Sequence, residues 1–409
     1  MALDMDIAFL GGLFPRETEG EILEKSIGAV QAAANALQWN LVEGLDAHLE
    51  RPVKVINSLY IGAFPGKYRD LWIPSYSFQH APGAEDLNVG FLNLFGVKQY
   101  WKYWSLKPRI KRWAREQGKQ KAIIAYAMTG VFAKCLRYAK KINPKVQTCM
   151  IVPDLPEYMN TTNKSSRLYQ FLKNMEIRQI ENSRKWIDGY VLLTEQMKNY
   201  LGITGKYTVV EGVSADPGPC EEEAAPPAVL YSGSLHEQYG VLQLVEAFRM
   251  VQGEYRLLLC GAGDAQDKIR AAAKEDPRIE YRGQLPRDEV LCLQRRAAVL
   301  VNPRRNIGEY TKYSFPSKLT EYLASGVPVA AYRLDGMPEE YEGYITYVPG
   351  DSPQELADTL ERLLRLSPQA RRDMGGRARE WVLREKGRKP QAGKILAMLL
   401  ADFETKPFQ

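Results

Sequence analysis

Phe315-Pro316-Ser317-Lys318-Leu319-Thr320-Glu321-Tyr322-Leu323-Ala324-Ser325-Gly326-Val327-Pro328-Val329 reads as a short helix set between two strands. Proline is favoured at a first helical position, where its missing N–H costs nothing, and glycine at the C′ position, where the backbone turns left-handed. Pro316 and Gly326 stand at those two places. With the strand Ala298-Val299-Leu300-Val301 before it and Val327-Pro328-Val329-Ala330-Ala331 after it, the helix opens at the carboxyl edge of a sheet. There α/β folds bind ligands, and backbone N–H groups at a helix start attract phosphate, the macrodipole adding roughly 0.3–2 kcal/mol. Lys318 adds a full charge. Ser317 and Glu321, four apart, share a helical face, the serine at the phosphate end and the carboxylate one turn deeper, where it suits both hydroxyls of a ribose. The competing reading, a solvated helix with Lys318 and Glu321 as ordinary surface, is weighed against the rest of the chain.

Outward from this stretch, strand-length apolar runs alternate with amphipathic ones. In the first half the runs are Asp6-Ile7-Ala8-Phe9-Leu10, Val53-Lys54-Val55-Ile56, Ala122-Ile123-Ile124-Ala125-Tyr126, Gln147 to Val152 and Gly189 to Leu193. In the second they are Ala228 to Tyr231, Arg256 to Cys260, Arg278 to Tyr281, Ala298 to Val301 and Val327 to Ala331. Such alternation predicts βα units around parallel sheets. Between the halves, residues 214–227 hold Asp216-Pro217-Gly218-Pro219, three glutamates and Pro226-Pro227, the composition of a linker. The expectation is an α/β chain of two Rossmann-like domains facing across a cleft, 1–213 and 228–385. The tail has three helical patterns, Pro353 to Leu366, Ala370 to Arg384 and Gln391 to Phe403, with no strand left to pair, so residues 386–409 are expected to pack back on the first domain.

The chain has 409 residues, 45% apolar and 25% charged, which excludes disorder and collagen-like structure. Cys135, Cys149, Cys220, Cys260 and Cys292 are odd in number, widely spaced and free of any CxxC pair. Neither a disulfide framework nor a zinc site is expected, and a reducing cytoplasm fits. The N-terminus carries Asp4 and Asp6 where a signal peptide needs cations, and the apolar stretch from Ala122 to Ala133 is about 12 long against the roughly 18 of a spanning helix. A net charge of +6 suits an anionic partner: nucleic acid, a lipid headgroup or a phosphorylated substrate.

A wider set of motifs carries a resemblance. Tyr231-Ser232-Gly233-Ser234-Leu235, Tyr239-Gly240, Leu244-Val245-Glu246-Ala247-Phe248, Leu259-Cys260-Gly261-Ala262-Gly263-Asp264, Arg282-Gly283 and Phe315-Pro316-Ser317-Lys318 to Val329 follow in one order. In that order and spacing the chain resembles retaining GT-B glycosyltransferases of family four, of the bacterial type that builds exopolysaccharide, capsule or O-antigen. The likeness covers the second domain and, through Phe9-Leu10-Gly11-Gly12-Leu13-Phe14-Pro15, reaches the first.

The resemblance implies transfer of a sugar from a nucleoside-diphosphate donor to a hydroxyl of a saccharide or lipid-linked acceptor, with retention and without metal or cofactor. It implies that Ser314, Phe315, Pro316, Ser317, Lys318 and Leu319 hold the diphosphate, that Glu321 holds the ribose, and that Tyr313 stands at the place that faces the donor sugar. It places Gly11 and Gly12 beside donor phosphate and sugar, Gly233, Gly261 and Gly263 in the donor loops, and Arg282 and Gly283 at the base. Three departures stand out. Many members have a glutamate where this chain has Tyr313, an arginine at Ser234 and a lysine at Tyr239. Two absent cations opposite a diphosphate cost several kcal/mol unless replaced, each charged hydrogen bond being worth about 1.5–3 kcal/mol. Arg304 and Lys318 are the expected replacements.

In the first domain, members often carry a histidine where this chain has Pro153-Asp154. Asp154 is then a candidate for donor-sugar or acceptor hydroxyls, against a plain strand-to-turn reading of Asp154-Leu155-Pro156. His80 is the histidine expected near an acceptor. From Lys98 to Lys121 nine cations face one acid, Glu116, with tryptophans interleaved. This predicts peripheral contact with anionic membrane through Trp101, Trp104, Lys107, Arg109, Lys111, Arg112 and Trp113. A solvated helix packing its aromatics inward is the alternative; a nucleic-acid surface ranks lower, since no binding module is present. Two other classes stay open: a GT-B partner subunit that has lost activity, and a nicotinamide oxidoreductase. The second rests on Gly261-Ala262-Gly263, but the third glycine would be Gln266 and the turn follows the domain's second strand.

Overall fold

The computed structural model describes residues 2–28, 30–155, 167–220 and 227–401, so linker residues 221–226 and the end of the last expected helix lie outside the described residues. The chain forms two compact units: Met1–Val213 together with Arg388–Gln409, and Ser214–Gly387.

The first unit contains β1 (Met5–Gly11), β2 (Lys54–Asn57), β3 (Trp72–Ile73), β4 (Tyr76–Phe78), β5 (Asp86–Asn88), β6 (Phe91–Leu92), β7 (Gln120–Tyr126), β8 (Gln147–Val152), β9 (Gly189–Leu192) and β10 (Lys206–Val209). Eight of them make one sheet in the order β10-β9-β8-β7-β1-β2-β5-β4, parallel except where β4 meets β5; β3 and β6 form a small antiparallel ribbon. Ala122 to Tyr126 is buried without a break, the signature of a strand covered on both faces, which is why its sequence is continuously apolar. The helix Arg388–Leu400 returns to this unit. A Cβ on Gly44 would lie 2.3 Å from the Arg388 carbonyl oxygen, so glycine there lets the helices Ala32–Asp46 and Arg388–Leu400 touch backbone to backbone.

The helix Lys98–Arg115 packs inward with Lys102, Leu106, Ile110, Trp113 and Ala114, a stripe at helical spacing that includes a lysine. Lys102 Nζ donates to the carbonyls of Leu59 (2.7 Å) and Ser58 (3.3 Å) and lies 4.3 Å from the Phe91 ring centre. Burial lowers its pKa well below the ordinary lysine value. Trp113 is 1% exposed and its indole N–H donates to Asp6 at 2.9 Å. The structure thus removes Trp113 from the expected membrane face: its ring faces the core because it continues the row begun by Leu106 and Ile110.

The second unit holds β11 (Ala228–Ser232), β12 (Arg256–Cys260), β13 (Ile279–Gly283), β14 (Val299–Asn302), β15 (Val329–Ala331) and β16 (Thr346–Tyr347), all parallel in the order β13-β12-β11-β14-β15-β16. The helix Pro353–Leu364 begins with a capping box, Ser352 Oγ accepting from the Glu355 N–H and the Glu355 carboxylate from the Ser352 N–H. Cys220 and Cys292 form a disulfide with Cα atoms 5.5 Å apart. This overturns the expectation of unpaired cysteines: the partners are 72 residues apart and meet only because the helix Arg287–Arg296 lies against the chain entering the unit. Cys135, Cys149 and Cys260 are buried and free. No helix among the described residues is long and apolar enough to cross a membrane.

Candidate active site

In the second unit the strand order reverses between β11 and β14, and crevices at such a switch, beyond the strands' carboxyl ends, are where parallel α/β sheets take ligands. The loops at this edge are zipped together by backbone. Gly233 donates to Cys260, Leu235 to Ala262 and Gly261 to Gly283, at 2.7–2.9 Å. Gly261 has φ +138° and a Cβ there would sit 1.8 Å from the Gly233 carbonyl oxygen; one on Gly263 would sit 2.2 Å from Leu235. These glycines let two loops approach, which explains a GxG pair on a second strand without any dinucleotide. Ser234 is exposed, Arg282 pairs with Glu280 at 2.7 Å, and Gly283 adopts φ +71°.

The key helix runs Lys318–Ala324, with Ser317 as N-cap and Gly326 in the left-handed region at φ +79°. It starts two residues later than expected. Pro316 is buried just before it, its carbonyl accepting from the Leu319 N–H at 2.8 Å, while Ser317 is exposed and makes no side-chain cap bond. Phe315 and Leu319 are buried in the apolar core, Phe315 against Tyr341 at 5.1 Å, and so support the turn without reaching a ligand. Tyr322 fixes the helix to β11: its hydroxyl accepts from the Ser232 N–H at 2.9 Å and donates to the Ser232 carbonyl at 3.1 Å.

Glu321 is 18% exposed at the side chain. Its Oε1 accepts from Gln294 Nε2 at 2.7 Å and Lys318 Nζ at 3.1 Å, and Oε2 lies 3.2 Å from the Arg287 guanidinium. Burial alone would raise its pKa, but the Lys318 and Arg287 charges and the Gln294 hydrogen bond outweigh burial and lower it, so it is ionised at neutral pH. Gln294 also donates to Ser232 Oγ at 3.0 Å, tying the carboxylate to the end of β11. Arg287 and Gln294 escaped the sequence reading. Their signal is the seven-residue spacing, which puts both on one face of the helix that follows the β13 loop.

Arg304, just past β14, donates to Ser314 Oγ at 2.8 Å, and its guanidinium lies 5.6 Å from the Tyr239 ring and 5.1 Å from the Tyr310 ring. Its Nε is covered and has no hydrogen-bond partner. Tyr239 thus stands beside a cation of the kind the resemblance expects at its own position. Tyr313, half-buried, directly precedes Ser314.

In the first unit the expected contributions change. Gly11 and Gly12 are buried, the Gly12 N–H donates to Gln38 at 2.8 Å, and a Cβ on Gly12 would meet the Tyr60 ring at 2.2 Å. The glycines accommodate Tyr60, whose hydroxyl bonds the Tyr126 carbonyl at 2.9 Å and the Ala127 N–H at 2.8 Å; the Gly12 amide is not available to a phosphate. Asp154 is exposed just beyond β8.

His80 is corrected as well. Its side chain is 2% exposed, with Nδ1 2.7 Å from Asp86 and Nε2 2.9 Å from Asp46, so neither nitrogen is left for an acceptor. A recess of about 460 Å³ beside it is lined by Arg16, Glu43, Asp46, Ala81 and Arg388, and there both arginines pair with Glu43. Burial would lower the His80 pKa, but the two carboxylates raise it to about 9 from the ordinary 6.5. A raised folded-state pKa gives stability that is complete below pH 6.5 and lost as pH rises through 9, roughly 3 kcal/mol in all. Unfolding titrations from pH 6 to 10 should show this loss in the wild type, and His80→Gln should lack it while being less stable at pH 6. An identical pH slope in both proteins would refute the assignment.

Residues 226–366 match the family described as Glycosyl transferases group 1. A trehalose phosphorylase of Pleurotus pulmonarius is 34% identical over a stretch covering 24% of this chain and 15% of that protein's length. Sucrose-phosphate synthase from Thermosynechococcus elongatus superposes with a TM-score of 0.64 at 17% identity, covering 98% of this chain and 100% of that one. HepE of Anabaena, in complex with UDP, gives 0.61 at 13% identity over 97% and 100%. The fold is GT-B.

Proposed function

We propose that the protein is a retaining glycosyltransferase that moves a hexosyl group from a nucleoside-diphosphate sugar to a hydroxyl of a saccharide or lipid-linked saccharide, in assembly of a cell-surface polysaccharide. The observation that carries this reading is the ionised Glu321 one turn into the helix Lys318–Ala324, braced by Gln294, Lys318 and Arg287 inside the group 1 domain. Glu321 takes the ribose hydroxyls, the turn at Ser317 with Lys318 takes the diphosphate, and Arg304 compensates for the neutral residues at Ser234 and Tyr239. The loop at Arg282-Gly283 lines the base, and Asp154 orients sugar hydroxyls. The fold neighbour solved with UDP supports a nucleotide donor.

A thermal-shift panel of UDP, GDP, ADP and CMP, alone and as sugar conjugates, tests the reading. One nucleoside diphosphate should raise the melting temperature, corresponding to about 2.7 kcal/mol at a hundredfold excess over Kd. Stabilisation by a nicotinamide cofactor and by no nucleoside diphosphate would replace the proposal with the oxidoreductase alternative.

A further inference from the structure

Most of the large apolar side chains exposed on the described residues of the first unit gather in one place. Leu71 and Trp72 lead into and begin the β3–β6 ribbon, and Leu94, Phe95 and Val97 follow it; all are 39–53% exposed. The Asn93 N–H donates to the Leu71 carbonyl, and Trp72 meets Trp101 edge-on at 5.7 Å, so ribbon and helix form one surface. Along the helix Lys98–Arg115 the outward row runs Val97, Trp101, Trp104, Pro108, Arg112 and Arg115, every one exposed. Its first half is apolar and its second half cationic, Trp104 and Arg112 being about 12 Å apart along the axis.

We propose that this face docks on an anionic lipid bilayer, the rings entering the interfacial layer and the cations meeting headgroups. The charge pattern selects this occupant. Residues 87–115 contain seven lysines and arginines and no aspartate or glutamate. Asp70, the acid next to Leu71, is paired with Lys25 at 2.8 Å. A second copy of the chain laid on the same face would oppose cation to cation, which disfavours a two-fold interface. Amphipathic rings with one wet edge suit the headgroup layer, and lysine or arginine near an anionic surface strengthens binding about fivefold each. The site narrows the membrane expectation from sequence: Trp113 is out, and Trp72 and Phe95 are in. It does not depend on the transferase reading.

Vesicle sedimentation with the full chain tests it, using phosphatidylcholine vesicles with and without about one third phosphatidylglycerol, at low salt and at about 0.5 M salt, where charge is screened within a few ångströms. Wild type should sediment with the anionic vesicles, less so at high salt. Phe95→Ser with Trp104→Ser should weaken binding at least about tenfold per ring, and Lys111→Ser, Arg112→Ser and Arg115→Ser together about a hundredfold on anionic vesicles only. All of these side chains are at least partly solvent-exposed, and melting temperatures should match wild type. The proposal fails if wild type ignores anionic vesicles at low salt, or if both variants bind like wild type. It also fails if the ring variant converts a dimer to a monomer in sedimentation velocity, which would give the face to a second copy.

Discussion

Glu321→Ala should weaken binding of the preferred nucleoside diphosphate about a hundredfold. An ionised carboxylate receiving both ribose hydroxyls would contribute roughly 3–6 kcal/mol at 1.5–3 kcal/mol per charged hydrogen bond. The present geometry selects the lower end. A carboxylate offers about four acceptor sites, and Gln294, Lys318 and Arg287 already take three of those on Glu321. One hydroxyl finds a vacant site, whereas the second must displace a cation and recovers only the difference. The decisive readout is the comparison of ribose with 2′-deoxyribose. Wild type should prefer the ribonucleotide by roughly tenfold or more, and Glu321→Ala should bind both forms alike. Equal discrimination by both proteins would remove Glu321 from the ribose. Gln294→Ala should have a milder effect in the same direction, because Gln294 orients the carboxylate from its anchor on Ser232.

The parts of the fold that sequence made legible are those where burial is uniform along a segment. Ala122 to Tyr126 and Val299 to Val301 announce themselves because a strand covered on both faces has little room for polar side chains. The ribbon strands Trp72–Ile73 and Phe91–Leu92 do not, since two residues carry no periodicity. Which rings of Lys98–Arg115 turn inward was equally hidden. The inward stripe contains Lys102, whose buried amine is accommodated because the carbonyls of Ser58 and Leu59, more than forty residues earlier, receive its hydrogens.

The candidate site divides along the same line. Glu321 and Lys318 were readable because helix spacing relates them, but Gln294 joins them from 27 residues away. The glycine pair Gly11-Gly12 was visible too. What packs on it was not: the Tyr60 ring lies where a Cβ on Gly12 would stand. His80 was expected near an acceptor because sequence shows the imidazole and hides the aspartates that occupy both its nitrogens. In each case the residue type was visible and its partner was supplied by the fold.

Arg304→Ala should lower kcat for sugar transfer by about 10²–10³ with a smaller change in donor KM. Charge grows on the diphosphate as the sugar leaves, and a preorganised donor aimed at that charge is typically worth this much. Arg304 is preorganised: Ser314 holds one end of the guanidinium, and the rings of Tyr239 and Tyr310 lie beside it. Its unpaired Nε is a standing cost that a departing anion could relieve through a small rotation. Lys318→Ala should act differently, because Lys318 also neutralises Glu321 and so affects ribose and phosphate together. It should therefore raise KM and lower kcat. Arg304→Lys should recover only part of the rate, since an ammonium cannot bond Ser314 and stack between two rings at once. Steady-state and single-turnover rates with a saturating donor separate these effects. If the double variant Arg304→Ala/Lys318→Ala turns over at the wild-type rate, the charge needed by the leaving group comes from elsewhere in the chain, and the compensation for Ser234 and Tyr239 has been misplaced.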